Sequence, residues 1–547
     1  MIDWRLYRLA FVALIPAVVT ILFSVEPVAE PLPPGIATTG FDGRAAASTA
    51  REIERLGQDR APGSATDDAA AELVAGRFSA IPAGEVSTTL ASAGSGTSPI
   101  VSVSLPGASE SAILVVAPRT GGSAAGRLAT ATATGVLAQL AGSFGDARHE
   151  HSLVFASAPD ATTAAELARR VSQERDVIGS VSIDDARGLR TDDVLLHHAP
   201  GDLMASATLA ETARAVIGGE GIPDAPTEGP LAQIARLGLG ISFGGQARML
   251  GEGIDAIAIS ATGERPPHDG DGAPVRVVSE PLGFVGEIAL RVVQALDAAP
   301  ELPDKAGAYV RFGDNVVPRW AFALLGLALL APALIAAVDA LARAARRGRR
   351  ATMALQSVFA RALPFVASAL LLYALAIVGV VPDPSFPFDP ADFGLGFGEI
   401  LTLAIFGLVG AGVGWALRVD VVPTAYGAQT LAAAAGLVAS LAALGIWIAN
   451  PFAALLVAPL AHVWVVATGS RSPGLPAGGL ALVASVAPFG FALGHIAGRL
   501  DLGSDGPWTL TMLVTGGQLR PAQALIACIL AGALVSVAAS SKRGASR

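Results

Sequence analysis

Histidine is the side chain in this sequence best suited to hold a metal or move a proton, and five of the seven, His149, His151, His197, His198 and His268, fall in one half of the chain. His149 and His151 stand two apart, the spacing that puts both on one face of a strand, and His197 and His198 are adjacent. A catalytic zinc needs about three protein ligands and an open position, so this set supplies enough donors if the fold gathers it. Solvent-facing loop histidines are the plainer reading. Carboxylates within reach along the chain are Asp160 in SAPDA and the pair Asp184-Asp185 ending VSIDD. Ser123 in TGGSAAG lacks the G-x-S-x-G spacing of a nucleophile elbow, and Asp67 and Asp68 sit where carboxylates favour the first turn of a helix. The single cysteine, Cys528, lies in an apolar run, which excludes an intramolecular disulfide and a thiolate metal site.

The elements that must position these residues divide the chain in two. Hydrophobic residues make up 52% of the sequence with a mean hydropathy of +0.56, more than a water-exposed surface tolerates. Asp and Glu concentrate between about 40 and 315, whereas 320–541 is nearly free of charge. Apolar runs at Leu9–Val25 and at roughly 320–341, 362–382, 396–417, 428–449, 451–468, 477–497 and 521–540 predict eight spanning helices. The junction Asn450-Pro451 also permits a re-entrant pair. Arg5, Arg8 and the cluster Arg343–Arg350 then face the cytoplasm under the positive-inside rule. The expected arrangement is an anchor at 1–25 whose retention the sequence leaves open, a linker at 26–44, an extracytoplasmic domain at 45–315, seven helices at 316–541 and a tail at 542–547. Both termini lie inside the plasma membrane. A net charge of −9 with one dense basic cluster excludes nucleic acid as a partner and leaves membrane lipid, a membrane protein or an envelope peptide or glycolipid.

Within 45–315, RAPGSATDDAAAELVAGRF reads as a turn at Pro62-Gly63 and a helix capped by Ser64 or Thr66. The runs PIVSVSLPG, SAILVVAPR, HSLVFASAP and VIGSVSID read as strands, ATATATGVLAQLAG and ATTAAELARRVSQE as helices between them, and PLAQIARLGL and GIDAIAIS continue the alternation. Alternation of this kind predicts a three-layer α/β domain around a mostly parallel central sheet, followed by an all-α transmembrane bundle.

The order of these elements resembles the M28 zinc peptidase family and, given the appended helices, membrane-bound relatives such as the Gaa1 transamidase subunit. The resemblance covers about residues 45–300 and rests on the PGS turn between helices, the buried strands and the GID turn. It implies a zinc aminopeptidase fold whose metal ligands are lost here. Pro118 and Thr120 in VVAPRTGG stand where the family has His-x-Asp, and Ala131 in ATATG where it has its bridging Asp. Asp160 is the one carboxylate near the place of the paired glutamates, and Asp184 or Asp185 is the surviving ligand Asp. Gly245 and Gln246 replace the final Asp-His.

The expected function is therefore a catalytically degenerate cleft that acts as a binding or scaffold module and has no cofactor. Its walls are expected at Pro118–Gly122, Ala131–Gly135, Ser157–Asp160 and Asp184–Asp185. The alternatives are an active metallopeptidase with rearranged zinc ligands, and a transporter whose polar pathway uses Glu399, His462 and His495. Glu399 and His495 near the outer helix ends are also explained by snorkelling.

Overall fold

The computed structural model describes residues 2–33, 40–57, 59–93, 96–188, 194–221, 228–265, 267–269, 272–299, 307–382, 393–417, 427–467, 475–500 and 502–541. In chain order the first part comprises α1 (Trp4–Ala10), α2 (Leu14–Phe23), β1 (Glu26–Pro27), α3 (Gly43–Arg55), α4 (Ala65–Ser79), β2 (Glu85–Ala93), β3 (Gly96–Leu105), β4 (Ala112–Pro118), α5 (Ala124–Phe144), β5 (Ser152–Ala158), α6 (Ala161–Glu174) and β6 (Val177–Asp185). There follow β7 (Leu195–Leu196), β8 (His198–Ala199), β9 (Leu203–Met204), α7 (Ala207–Gly219), α8 (Pro230–Leu239), α9 (Gln246–Gly251), β10 (Ala256–Ser260), α10 (Ser279–Asp297), β11 (Tyr309–Phe312) and β12 (Asn315–Pro318). The second part is helical: α11 (Arg319–Arg346), α12 (Ala351–Ile377), α13 (Phe397–Ala416), α14 (Ala428–Ala449), α15 (Pro451–Ala467), α16 (Leu475–Arg499), α17 (Gly506–Thr515) and α18 (Pro521–Ser541).

Seven strands form one sheet in the order β2-β3-β5-β4-β6-β10-β7. The inner four, β5, β4, β6 and β10, are parallel, and Val115 sits between Phe155 and Val181 in register. These strands are buried on both faces, which is why AILVVAP and SLVFASA are continuous apolar runs and not alternating ones. The expectation of a mostly parallel sheet needs correction, because β3 joins β5 antiparallel, β2 joins β3 antiparallel and β7 joins β10 antiparallel. The sheet is mixed. Its outer strand EVSTTLASA is largely exposed and its hydroxyl-rich sequence hides the strand pattern.

Helices cover both faces. Ile113, Val115 and Ala117 of β4 point into a core built with α3, α5, α7 and α10, while Leu114 and Val116 point the other way, towards α6 and α9. Ser64 caps α4 as the sequence suggests, its Oγ accepting from the Asp67 amide at 3.1 Å. The segment expected to be a plain linker carries β1, which pairs with β12 in a three-stranded sheet with β11, and α3 already begins at Gly43 behind the Asp42 cap.

Among the described residues, seven helices are long and apolar enough to cross a membrane: Trp4–Phe23, Arg319–Arg346, Ala351–Ile377, Phe397–Ala416, Ala428–Ala449, Gly479–Arg499 and Pro521–Ser540. The eighth segment expected at 451–468 is α15, a helix of 17 residues and shorter than the others. Asn450 makes this break. Its extended backbone ends α14, and its Oδ1 accepts from the amides of Phe452 and Ala453 at 2.9 and 3.0 Å to start α15. The two helices pack closely at Gly436, where a Cβ would fall 2.3 Å from the Trp464 ring.

The α/β part is docked on these helices through α8, which packs against α15 and α16. Asn450 Nδ2 donates to the Leu237 carbonyl at 2.7 Å. The apolar core under α6 and α9 continues without a break into Ile496, Leu500, Leu502, Trp508 and Met512 of the helical part.

Candidate functional site

A cavity of about 540 Å³ opens at the carboxyl ends of β4, β5, β6 and β10, where parallel strands leave a crevice between diverging loops. Pro118, Thr120, Asp160 and Asp184 line it. Thr120 is fixed by its Oγ1 donating to the Pro159 carbonyl at 2.8 Å. Asp160 caps α6, accepting from the Thr163 amide at 2.8 Å. The half-buried Asp184 accepts from Ser182 Oγ at 2.5 Å and from the Gly245 amide at 2.7 Å. Burial pushes its carboxyl above the usual carboxylate range, against the pull of those two hydrogen bonds.

Three other expected residues lie outside the cavity walls. Ala131 is inside α5, on the face packed against Ile53 and Ala70, whereas its neighbours Ala129 and Thr130 line the cavity. Asp185 is fully buried on the far side of β6, paired with Arg187 at 3.0 Å and accepting from Thr262 Oγ1 at 2.6 Å. Gln246 is also fully buried, its Nε2 donating to the His198 carbonyl at 2.8 Å and to Ser242 Oγ at 3.1 Å. Strand alternation separates Asp184 from Asp185, and the sequence alone does not say which one faces the cleft.

The histidines correct the solvent-facing reading. His149, His151 and His198 are buried. His149 Nδ1 meets Asp297 Oδ2 at 3.1 Å and Nε2 donates to the Phe144 carbonyl at 2.9 Å. Burial opposes its charge, but Asp297 and that carbonyl outweigh burial and raise its pKa. His151 Nδ1 bonds Ser111 and Ser109 at 2.6 and 3.0 Å. The rings of His197 and His198 lie with centroids 4.2 Å apart, tilted by 51°, near Arg214, and burial first, then the neighbouring arginines, push both well below the ordinary histidine range. The two pairs serve different partners. Among the described residues no group of three His, Cys, Asp or Glu is placed to hold a metal ion. At Gly245 a Cβ would lie 2.3 Å from Ser182 Oγ and 2.8 Å from Asp184 Oδ1, so a ligand side chain does not fit there either. The donor set does not fit the zinc that the resemblance implies.

Sequence reasoning missed the arginines. Arg119, between Pro118 and Thr120, is fully buried and bonds Asp67 Oδ1 at 2.8 Å, the Pro99 carbonyl at 2.7 Å and the Ser157 carbonyl at 3.2 Å. An arginine ending a buried strand was the available signal. Arg60 lines the cavity and is 2% exposed, with Nη2 donating to the Arg127 carbonyl and, at 3.4 Å, to Thr130 Oγ1. Its Nε and Nη1 have no partner among the described residues, and burial pushes it down to about 10. Glu264 belongs to the same wall and joins a charge cluster that reaches the helical part: Arg236 bonds it at 2.5 Å, Arg236 lies 3.5 Å from Glu228, and Glu228 pairs with Arg499 and stands 3.7 Å from His495.

Glu399, His462 and His495 hold to different places. Glu399 is in the first turn of α13. His462 Nε2 donates to the Leu329 carbonyl at 2.8 Å, so its Nδ1 accepts from the Tyr7 hydroxyl at 2.8 Å, and the ring fastens the amino-terminal helix to α11 and α15.

No family model and no curated protein matches this chain. Among solved structures it is similar to a glutaminyl cyclase from an Acidobacteriales bacterium, at 14% identity and a TM-score of 0.37 over 49% of this chain and 99% of that one. A glutaminyl cyclase from Fimbriiglobus ruber gives 12%, 0.34, 49% and 99%. The LapA aminopeptidase of Legionella pneumophila gives 14%, 0.37, 48% and 71%.

Proposed function

We propose that this chain is a membrane protein whose α/β domain lies outside the cytoplasmic membrane and acts as a non-catalytic binding module. The observation that carries this reading is the cleft itself. It keeps a cavity large enough for a ligand at the strand ends, while among the described residues its walls at Pro118, Thr120 and Gly245 offer no donor set for a metal. Carboxylates at Asp160 and Asp184 and the guanidiniums of Arg60 and Arg127 are in the lining, a set suited to hydrogen-bonding a polar ligand.

The test uses the full chain purified in detergent. Metal content is measured by mass spectrometry, alongside cleavage of a panel of amino-acid amides and cyclisation of peptides with amino-terminal glutamine. The expected result is metal far below one equivalent with neither reaction. Zinc near one or two equivalents with chelator-sensitive turnover would overturn the reading in favour of an active metalloenzyme with rearranged ligands.

A further inference from the structure

The cleft is not walled by the α/β domain alone. Phe393, from the segment that leads into α13, lines the cavity together with Val116, Leu196 and Phe243. Val116, Phe243 and Phe393 belong to one apolar cluster that also contains Leu395 just before α13, Ile496 and Leu500 at the end of α16, and Trp508 of the short α17. Directly beyond Phe393 and Leu395 the chain enters α13, whose Phe397, Ile400, Leu401 and Leu408 are exposed apolar side chains on a helix apolar enough to span a membrane. An apolar path therefore runs from the cavity wall to the side of a membrane helix. The lining also carries polar groups, Arg60, Arg127, Asp160 and Asp184, and Arg60 keeps two buried N–H donors without a partner among the described residues. Leaving such donors unmatched is costly unless a ligand or water meets them. Glu264 in the cavity wall and Arg499 at the end of α16 approach to 3.8 Å, which sets the cavity at the level of the helix ends.

A cleft for a water-soluble peptide has no use for an apolar wall that runs on, through Phe393, to the start of an apolar helix. A ligand with a polar head and an apolar tail uses both halves. We infer that the cavity receives the headgroup of a membrane amphiphile, with its hydrocarbon chain leaving past Phe393 along α13. This rests on the reading of the chain as a membrane-bound binding module, and it adds that the ligand enters sideways from the bilayer.

The experiment places the full chain in nanodiscs of phosphatidylglycerol and phosphatidylethanolamine that contain a phospholipid with a diazirine in its acyl chain. After irradiation, adducts are mapped by mass spectrometry. A short benzophenone-bearing peptide serves as a water-soluble probe in parallel. Adducts are expected on segments around Val116, Phe243 and Phe393 as well as on α13. In Gly122→Trp the indole enters the cavity from a position where an added Cβ meets nothing within 4 Å, so the cavity adducts should fall about ten-fold or more while those on α13 persist. Phe393→Ala is a second variant that weakens cavity labelling without filling the cleft, and retained α13 labelling shows that either variant has folded. Lipid adducts confined to the helices and unchanged by both variants overturn the inference. Cavity labelling by the peptide and not by the lipid overturns it too but leaves the binding-module reading standing, whereas labelling by neither overturns both.

Discussion

At the residue scale, the groups that look available for chemistry are committed to structure. Asp67 and Arg119 form an ion pair with both side chains fully buried, and Ser98 and Gly63 supply Asp67 with further donors. Breaking such a pair leaves an uncompensated buried charge. Arg119→Met alone is therefore expected to destabilise the protein by about 3–5 kcal/mol, and pairing it with Asp67→Leu should restore much of that, as read by denaturant unfolding of the α/β part. The adjacent pair His197 and His198 predicts a pH dependence. Their folded-state pKa values are depressed, so below the unfolded value of 6.5 the unfolded chain binds protons that the folded chain refuses. Stability should be full above that pH and fall as the medium is acidified, by at most about 1.4 kcal/mol per pH unit for each ring. His149 has the opposite sign, because its raised pKa adds stability that is lost as pH rises through the folded value. Thermal unfolding between neutral and mildly acid pH should fall steeply in the native protein and less steeply in the double variant His197→Gln, His198→Gln.

At the element scale, α8 holds the two parts of the molecule together. PLAQIARLGL starts with Pro230 at its first helical position, ends at Gly240 in the left-handed conformation with φ 56°, and buries Ala235, Arg236 and Leu237. Its fit against α15 depends on Gly238, where a Cβ would lie 2.7 Å from Leu456 Cδ1 and 3.3 Å from the Ala453 amide nitrogen. Gly238→Leu is expected to lift α8 from the bundle at a cost of about 1–3 kcal/mol. Hydrogen exchange would check this: α8 and the start of α15 should lose protection while β4, β5 and β6 keep theirs. Unchanged protection at α8 would show that the contact tolerates the side chain.

At the scale of the whole molecule, the cleft, the charge cluster and the helix ends form one continuous region. Glu228, Arg236, Glu264, His495 and Arg499 bridge the two parts, and each is largely withdrawn from water. Carboxylates and guanidiniums buried together in this way make docking specific more than strong, because desolvation offsets much of the Coulombic gain. Phe393 then closes the cavity from the bundle side, so a ligand in the cleft touches both halves at once.

Much of this was legible in the sequence, for physical reasons that can be named. Continuous apolar runs mark strands buried on both faces, which is why β4, β5, β6 and β10 stood out, and long charge-free runs mark the apolar helices in the same way. Capping is local, so Ser64 was visible at the start of α4. Pro118, Thr120, Asp160 and Asp184 follow from their place at strand ends. Other features were decided by contacts between residues distant in the chain, which no spacing records. Asp184 rather than Asp185 faces the cavity because of the phase of β6, and Ala131 is hidden because its face of α5 packs against Ile53 and Ala70. The antiparallel hairpin of β2 and β3 has no apolar signature on its exposed outer strand. The sequence thus determined the buried strands and the long apolar helices; the tertiary structure decided which side chains share the cleft, burying His149, His151 and His198, setting Arg60 in its wall and bringing in Phe393 from the helical part.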